Sequence, residues 1–218
     1  MRTSLATRRS LRIAVVTAAL FGAGLLHAAS QAQFDPAFQL FSQASGGDEA
    51  AIDKAADGFE ALLKAEPSNP VLMAYFGAAT SMKATTTMLP WRKMSFAEDG
   101  MAALDKALAL LSPTHDAVVQ HDTPGSLEVR LVAANTFLAV PGFMNRGARG
   151  AKLLGEVLAS PLLATAPAGF QGSVWMLAAK QAVKNKRSDE ARNYLNQVIK
   201  ANAPQAPAAR EQLKALAS

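Results

Sequence analysis

Apolar residues recur at three- and four-residue spacing along most of the chain beyond residue 47. Ile52, Ala55, Ala56, Phe59, Leu62 and Leu63 make one such stripe, and Leu127, Leu131, Ala134, Phe137 and Leu138 a second. Leu153, Leu154, Val157 and Leu158 make a third, and Ala191, Tyr194, Leu195, Val198 and Ile199 a fourth. Side chains at this spacing share one face of an α-helix, so each stripe predicts an amphipathic helix turned towards a core. No segment alternates apolar and polar residues as a half-buried strand does, alanine is abundant, and β-branched runs are rare. The pattern predicts an all-α fold.

Breaks fall where helix ends should be. Ser45-Gly46-Gly47-Asp48 interrupts the chain before the first stripe, and Asp48 can accept a hydrogen bond from the free amides of the helix it opens. In Pro67-Ser68-Asn69-Pro70 one helix ends and the next begins, with Asn69 as cap and Pro70 in the first turn, where its missing N–H costs nothing. Pro90, Ser112-Pro113, Pro124-Gly125, Pro141-Gly142 and Pro161 continue the series. The predicted helices span 36–44, 48–65, 70–86, 92–111, 126–139, 146–159, 169–184, 188–201 and 206–216.

Two stretches carry a repeat signature. Ala55, Phe59, Leu62 and Pro67 stand as in the second helix of a helix pair, and Met73, Phe76 and Gly77 open the next pair. Further on, Trp175, Ala178, Ala179 and Ala182 fit a first helix, while Ala191, Leu195 and Val198 fit a second, with Lys186-Arg187-Ser188-Asp189 as the polar turn. This arrangement resembles the tetratricopeptide (TPR) repeat, a 34-residue antiparallel helix pair. The resemblance implies a short, degenerate TPR-like solenoid of about nine helices. Small residues such as Gly77 and Ala179 would let a facing helix approach, and Phe59 and Trp175 would fill the space that results. The middle departs from the pattern: Ala107-Leu108 and Pro113 are out of step by one residue, and the 112–126 connection is long. The run Ala74-Tyr75-Phe76-Gly77-Ala78-Ala79, continuing through Lys83, Pro90, Lys93, Gly100, Leu104-Asp105, Arg130 and Pro141-Gly142-Phe143, is similar to uncharacterised exported bacterial proteins. That likeness implies no activity.

Composition alters the picture at the N-terminus. Arg2, Arg8, Arg9 and Arg12 precede an apolar stretch over residues 13–26 with Thr17 as its one polar member, and small residues follow at Ser30-Gln31-Ala32. Such a basic, apolar and small-residue succession predicts an export signal cleaved after Ala32, leaving residues 33–218 as one helical domain. The apolar stretch is shorter than the ~20 residues of a membrane-spanning helix. Thr7-Arg8-Arg9-Ser10-Leu11 also resembles a twin-arginine signal, so either export route fits.

Cleavage changes the charge. The whole chain has 22 Lys+Arg against 17 Asp+Glu, but four arginines leave with the signal, so the exported part carries 18 against 17. A basic chain that invites nucleic acid or anionic lipid thereby becomes nearly neutral. With no cysteine, the protein has no disulfide and no thiolate chemistry, and its stability rests on the apolar core.

No catalytic constellation stands out, and the chain is not expected to be an enzyme or to hold a cofactor. His115-Asp116 and His121-Asp122 bring together imidazole and carboxylate, the donors of a zinc site, but their spacing fits no ligand motif, and loop residues in contact with water are expected. No Gly-x-Ser-x-Gly turn frames a serine, and the glycines at 142, 147 and 150 form no phosphate loop. Glu98-Asp99 and Asp189-Glu190 are expected at helix starts, where negative charge meets the positive end of the helix dipole. The methionines are scattered rather than clustered for copper, as core fillers are.

Two basic groups are the candidates for partner binding. Arg146, Arg149 and Lys152 follow one another at helical spacing near a helix start, where positive charge is unfavourable. Trp91-Arg92-Lys93 is the other group, and together the six residues would suit a carboxylate or an acidic peptide. The resulting expectation is an exported TPR-like scaffold presenting a concave helical surface to a protein or peptide. A carrier of a small apolar molecule or lipid is the alternative, with its pocket at Met82, Met88, Leu89, Trp91 and Met94.

Overall fold

The computed structural model describes residues 31–216; the predicted export signal lies outside the described residues apart from its last two positions. Nine α-helices occupy the described residues: α1 (Gln31–Ser45), α2 (Glu49–Ala65), α3 (Pro70–Thr86), α4 (Pro90–Ala109), α5 (Gly125–Ala139), α6 (Gly147–Ala159), α7 (Ala168–Lys184), α8 (Ser188–Lys200) and α9 (Ala206–Ala215). No strand is present among them, only an isolated antiparallel bridge between Val118 and Pro124. The fold is all-α.

Helix starts follow the local chemistry. Asp48 accepts from the Ala50 amide at 3.0 Å, and Asn69 accepts from Val71 and Leu72 at 3.0 and 3.2 Å. Two starts differ from the sequence expectation by more than one residue. α4 begins at Pro90 instead of 92, because proline is at home in a first turn. α1 already covers Gln31–Asp35 ahead of the expected start at 36 and takes Pro36 inside it. Glu98-Asp99, expected at a helix start, lie well inside α4 on its exposed side, whereas Asp189-Glu190 do occupy the first turn of α8.

Three helices end alike. Gly47, Lys186 and Asn202 have φ of 104°, 61° and 49°, the left-handed conformation that turns the chain back. Each is followed by an amide that reaches a carbonyl five residues upstream: Asp48 to Gln43, Arg187 to Ala182 and Ala203 to Val198. Connections this short bring each helix back antiparallel to the one before it. Accordingly α1 packs on α2, α2 on α3, α3 on α4, α5 on α6, α7 on α8 and α8 on α9, while α3 also packs on α5.

α3 and α5 are buried around most of their circumference, as helices apolar on every side must be. Leu72, Leu127, Val129 and Phe137 are fully enclosed with Phe34, Phe59, Leu104 and Val174 in the main core. A smaller core joins Ala179, Leu195, Val198 and Ala209 near the C-terminus, with Trp175 packed against it. The repeat-like small residues sit at close crossings. A Cβ on Gly77 would lie 2.7 Å from the Gly100 carbonyl oxygen, so α3 and α4 touch through glycine backbone.

The long 112–124 connection is ordered rather than slack. It forms two short 3-10 turns, Pro113–Asp116 and Gln120–Asp122, and is pinned by Val119 N–H to Thr123 and Gly125 N–H to Ala117. His121 and Asp122 both adopt positive φ, 53° and 54°, so two successive non-glycine residues hold a strained conformation.

Candidate functional groove

A groove of about 1260 Å³ runs along the molecule. Its walls come from α1 (Phe38, Phe41, Ser42, Ser45), α3 (Tyr75), α5 (Glu128, Leu131, Val132, Asn135), α7 (Gly169, Phe170, Ser173, Met176, Leu177, Lys180, Val183) and α9 with the residue just past it (Gln212, Ala215, Leu216). His121 and Thr123 before α5, Pro167 before α7 and Gln205 before α9 complete it. None of the lining residues belongs to α2, α4, α6 or α8. One helix of every consecutive pair faces the groove and the other backs it, which is how stacked helix pairs generate a concave surface.

The floor at the α1–α3–α5 end is aromatic. Tyr75 is its hub: Phe41 and Phe59 lie 4.9 Å from its ring centre, Phe34 5.5 Å and Phe38 5.6 Å. The His121 imidazole closes over Phe38 at 4.6 Å, its Nε2 is 2.8 Å from Asp35 Oδ1, and its backbone N–H donates to Gln31 Oε1 at 3.0 Å. The strained loop is thus docked onto α1.

Beneath these rings lies one acid. The Tyr75 hydroxyl donates to Glu128 Oε1 at 2.7 Å, and the buried Oε2 has no hydrogen-bond partner among the described residues. Burial pushes the Glu128 carboxyl up to about 7, the tyrosine hydrogen bond opposing the rise. Burial, with the adjacent carboxylate, also raises the Tyr75 phenol well above its ordinary value, so the phenol stays the donor. Arg130, two residues further along α5, bonds the Ser126 carbonyl and Glu156 instead.

Polar groups organise the α7–α9 end. Gln205 Nε2 donates to the Gly169 carbonyl at 3.0 Å and to Ser173 Oγ at 2.9 Å, tying the start of α9 to α7. Lys180 stands exposed on the wall and makes no salt bridge among the described residues.

The six residues expected to bind a partner lie elsewhere. None lines the groove, and they form two separate groups. Trp91, Arg92 and Lys93 are exposed at the start of α4. Arg146 and Arg149 both bond Asp105, about 21 Å further along the same helix at ~1.5 Å per residue. Their guanidinium groups also stack 5.4 Å from the Phe137 ring. Lys152 is 3.9 Å from Glu156, beside a depression of about 320 Å³ that Arg130 and Arg149 share. The side chains expected to enclose a carrier pocket do not come together: Met82 packs against Ala44, Ala51 and Ile52, while Met88 is 87 % exposed, Trp91 68 % and Met94 40 %.

The two histidines part company. His115 Nδ1 takes a bond from the Ser112 amide at 3.0 Å and caps its own turn, whereas His121 lines the groove. No group of three or more His, Cys, Asp or Glu that could hold a metal occurs among the described residues. Tyr75 and Glu128 escape a reading of motifs, because an acid four positions after a proline looks like a helix-start charge. Its neighbours Leu127, Val129, Ala133 and Ala134 supply the signal: in a helix apolar all round, the acid is buried too. Comparison with known protein families, characterised proteins and solved structures finds no match.

Proposed function

We propose that this protein is an exported, TPR-like interaction module that takes a segment of a partner protein or peptide into its concave groove. The observation that carries the proposal is the alternation of the lining, drawn from α1, α3, α5, α7 and α9 alone. Phe38, Phe41, Leu131, Val132, Phe170 and Leu177 offer apolar contact along it, while Ser42, Asn135, Ser173 and Gln212 are placed to bond a peptide backbone. A photo-crosslinking amino acid at Asn135 tests this, with the same group at exposed Asp57 on α2 as control. A partner protein in extract from the cell envelope is expected to label through position 135 only. Equal labelling from both positions, or none from 135, counts against the groove.

A carrier of a small apolar molecule or lipid is the second reading, favoured by the same aromatic floor and moved from the Met82–Met94 region to this groove. Native mass spectrometry separates the two: a carrier leaves the cell with a ligand of fixed mass. Export itself is part of the proposal. Cleavage after Ala32 would place Pro36 among the first four residues of α1, whose N–H groups have no helical acceptor in any case. Intact mass of the exported protein should give Gln33 as its first residue; a mass retaining residues 1–32 would refute this.

A further inference from the structure

We infer that the Tyr75–Glu128 floor of the groove is a receptor for a protonated amine on an apolar stem, either a lysine side chain of a bound segment or a free alkylammonium. The inference rests on the groove being the binding surface and names the chemistry that one end of it selects. Three observations converge. Glu128 is 4 % exposed, yet its Oε2 has no donor among the described residues, so one buried acceptor is left over after Tyr75 has satisfied the other. Among the described residues its surroundings supply no cation: Arg130 is taken by Glu156 and the Ser126 carbonyl, Lys180 makes no ion pair with it, and His121 faces Asp35. The walls beside it are aromatic, with Phe38, Phe41 and Tyr75 all lining the groove and Phe41 and Phe38 packed edge-on at 4.9 and 5.6 Å from the Tyr75 ring.

Such a set of groups discriminates by charge. An anion would meet a carboxyl and the negative faces of the rings. A neutral alkyl chain would gain the apolar contact and leave Oε2 without a partner, which is costly in a buried place. An ammonium group satisfies Oε2 and lies against the ring faces, where cations are attracted by the quadrupole. The apolar stem, four methylenes in lysine, fits between Phe38, Phe41 and Leu131 on the way in.

Calorimetry on the full exported chain tests this with two matched pairs of probes. One pair is decylammonium and decanol. The other is a capped seven-residue peptide of alternating leucine and alanine with lysine at its centre, and the same peptide with norleucine there. The charged member is expected to bind at least about tenfold more tightly in one pair or both, and the pair that shows the preference identifies the source of the amine. Glu128→Gln, which keeps the shape and an acceptor for Tyr75, should abolish the preference while leaving the neutral probe's affinity in place. In the unmutated chain the carboxyl carbon resonance of Glu128 should move to its ionised position as decylammonium is added, a readout that does not depend on the variant folding. Equal binding of charged and neutral probes overturns the amine receptor and leaves the groove intact as a binding surface. A preference that survives Glu128→Gln, or a Glu128 resonance that stays put, also overturns it. Failure of all four probes to bind removes the groove and this inference together.

Discussion

The Tyr75 hydroxyl reaches Glu128 Oε1 at 2.7 Å across 53 positions of sequence, joining α3 to α5 inside the protein. These are the two helices buried on nearly every side, and theirs is a polar contact between elements that otherwise meet through Leu72, Leu127 and Val129. Because one Glu128 oxygen has no partner among the described residues, the pair is tolerated in its neutral state and penalised in its ionised one.

That penalty has a definite pH dependence. The Glu128 carboxyl titrates at about 7 in the folded chain and near its ordinary value of 4.5 when unfolded. Between these values the folded state holds a proton that the unfolded state has released, so stability falls as pH rises. At ~1.4 kcal/mol per pH unit the loss amounts to about 3 kcal/mol, complete a little above pH 7. Urea melts of the wild type and Glu128→Gln from pH 4 to 8 should therefore diverge by about that amount, the variant lacking the decline. Parallel profiles would mean the carboxyl is not held neutral. Tyr75→Phe should push the titration higher still, because it removes the hydrogen bond that opposes the rise.

The architecture was legible from the chain because its punctuation is local. Asp48, Asn69 and Pro70 act within three residues of themselves, and the stripes around Phe59 and Leu195 need only one helix to be recognised. What could not be read is set by contacts remote in sequence. Trp91 and Arg146 look alike as basic–aromatic candidates, yet Asp105 neutralises one group and leaves the other exposed. His121 resembles His115 in its Asp-flanked setting and differs because Asp35, 86 positions away, and the Phe38 ring hold it at the groove. Pro36 hid the Gln31–Asp35 part of α1, since a proline inside a helix is ordinarily a break.

Glycine at the α3–α4 crossing has a counterpart that separates packing from propensity. A Cβ on Gly100 would collide with the Gly77 carbonyl and with the backbone N and Oγ of Ser81, whereas Gly155 on α6 has open space around it. Gly100→Ala should lose roughly 1–3 kcal/mol through overpacking. Gly155→Ala should gain ~0.5–1 kcal/mol, as alanine does over glycine in an exposed helix interior. Thermal melts give both signs; a neutral Gly100→Ala would mean that the two helices part at little cost.

The turn between α7 and α8 carries a removable strain. Lys186 holds φ of 61° to let the Arg187 amide reach the Ala182 carbonyl at 2.8 Å. Its side chain makes no salt bridge among the described residues, so its charge contributes little that glycine would forfeit. Lys186→Gly should stabilise the fold by up to ~1 kcal/mol. Asn202→Gly, at the equivalent place after α8, should gain less, because asparagine already tolerates the left-handed conformation. A loss of stability in Lys186→Gly would show that the lysine side chain holds something the geometry does not reveal.

Asp105 decides whether the 146–152 basic group serves the fold or a partner. Its two oxygens bind Arg146, at 2.9 Å, and Arg149, and both guanidinium groups lie over Phe137. Without the carboxylate, two like charges would share one ring and repel. The side chains are 28–44 % exposed, so water screens part of the interaction, and the loss is expected near 1 kcal/mol rather than the 3–5 kcal/mol of a fully buried broken pair. Screening also gives the sign of the salt effect. Asp105→Ala should recover stability relative to the wild type as sodium chloride rises from ~0.05 to ~0.5 M, since salt weakens the repulsion in the variant and the attraction in the wild type. Lys152→Ala, whose ammonium is 3.9 Å from Glu156 and 78 % exposed, should change stability by less than ~0.5 kcal/mol in either buffer. If Asp105→Ala matches the wild type at both salt concentrations, the arginines are not held by the fold, and their positive charge near the start of α6 is left free to meet an acidic partner.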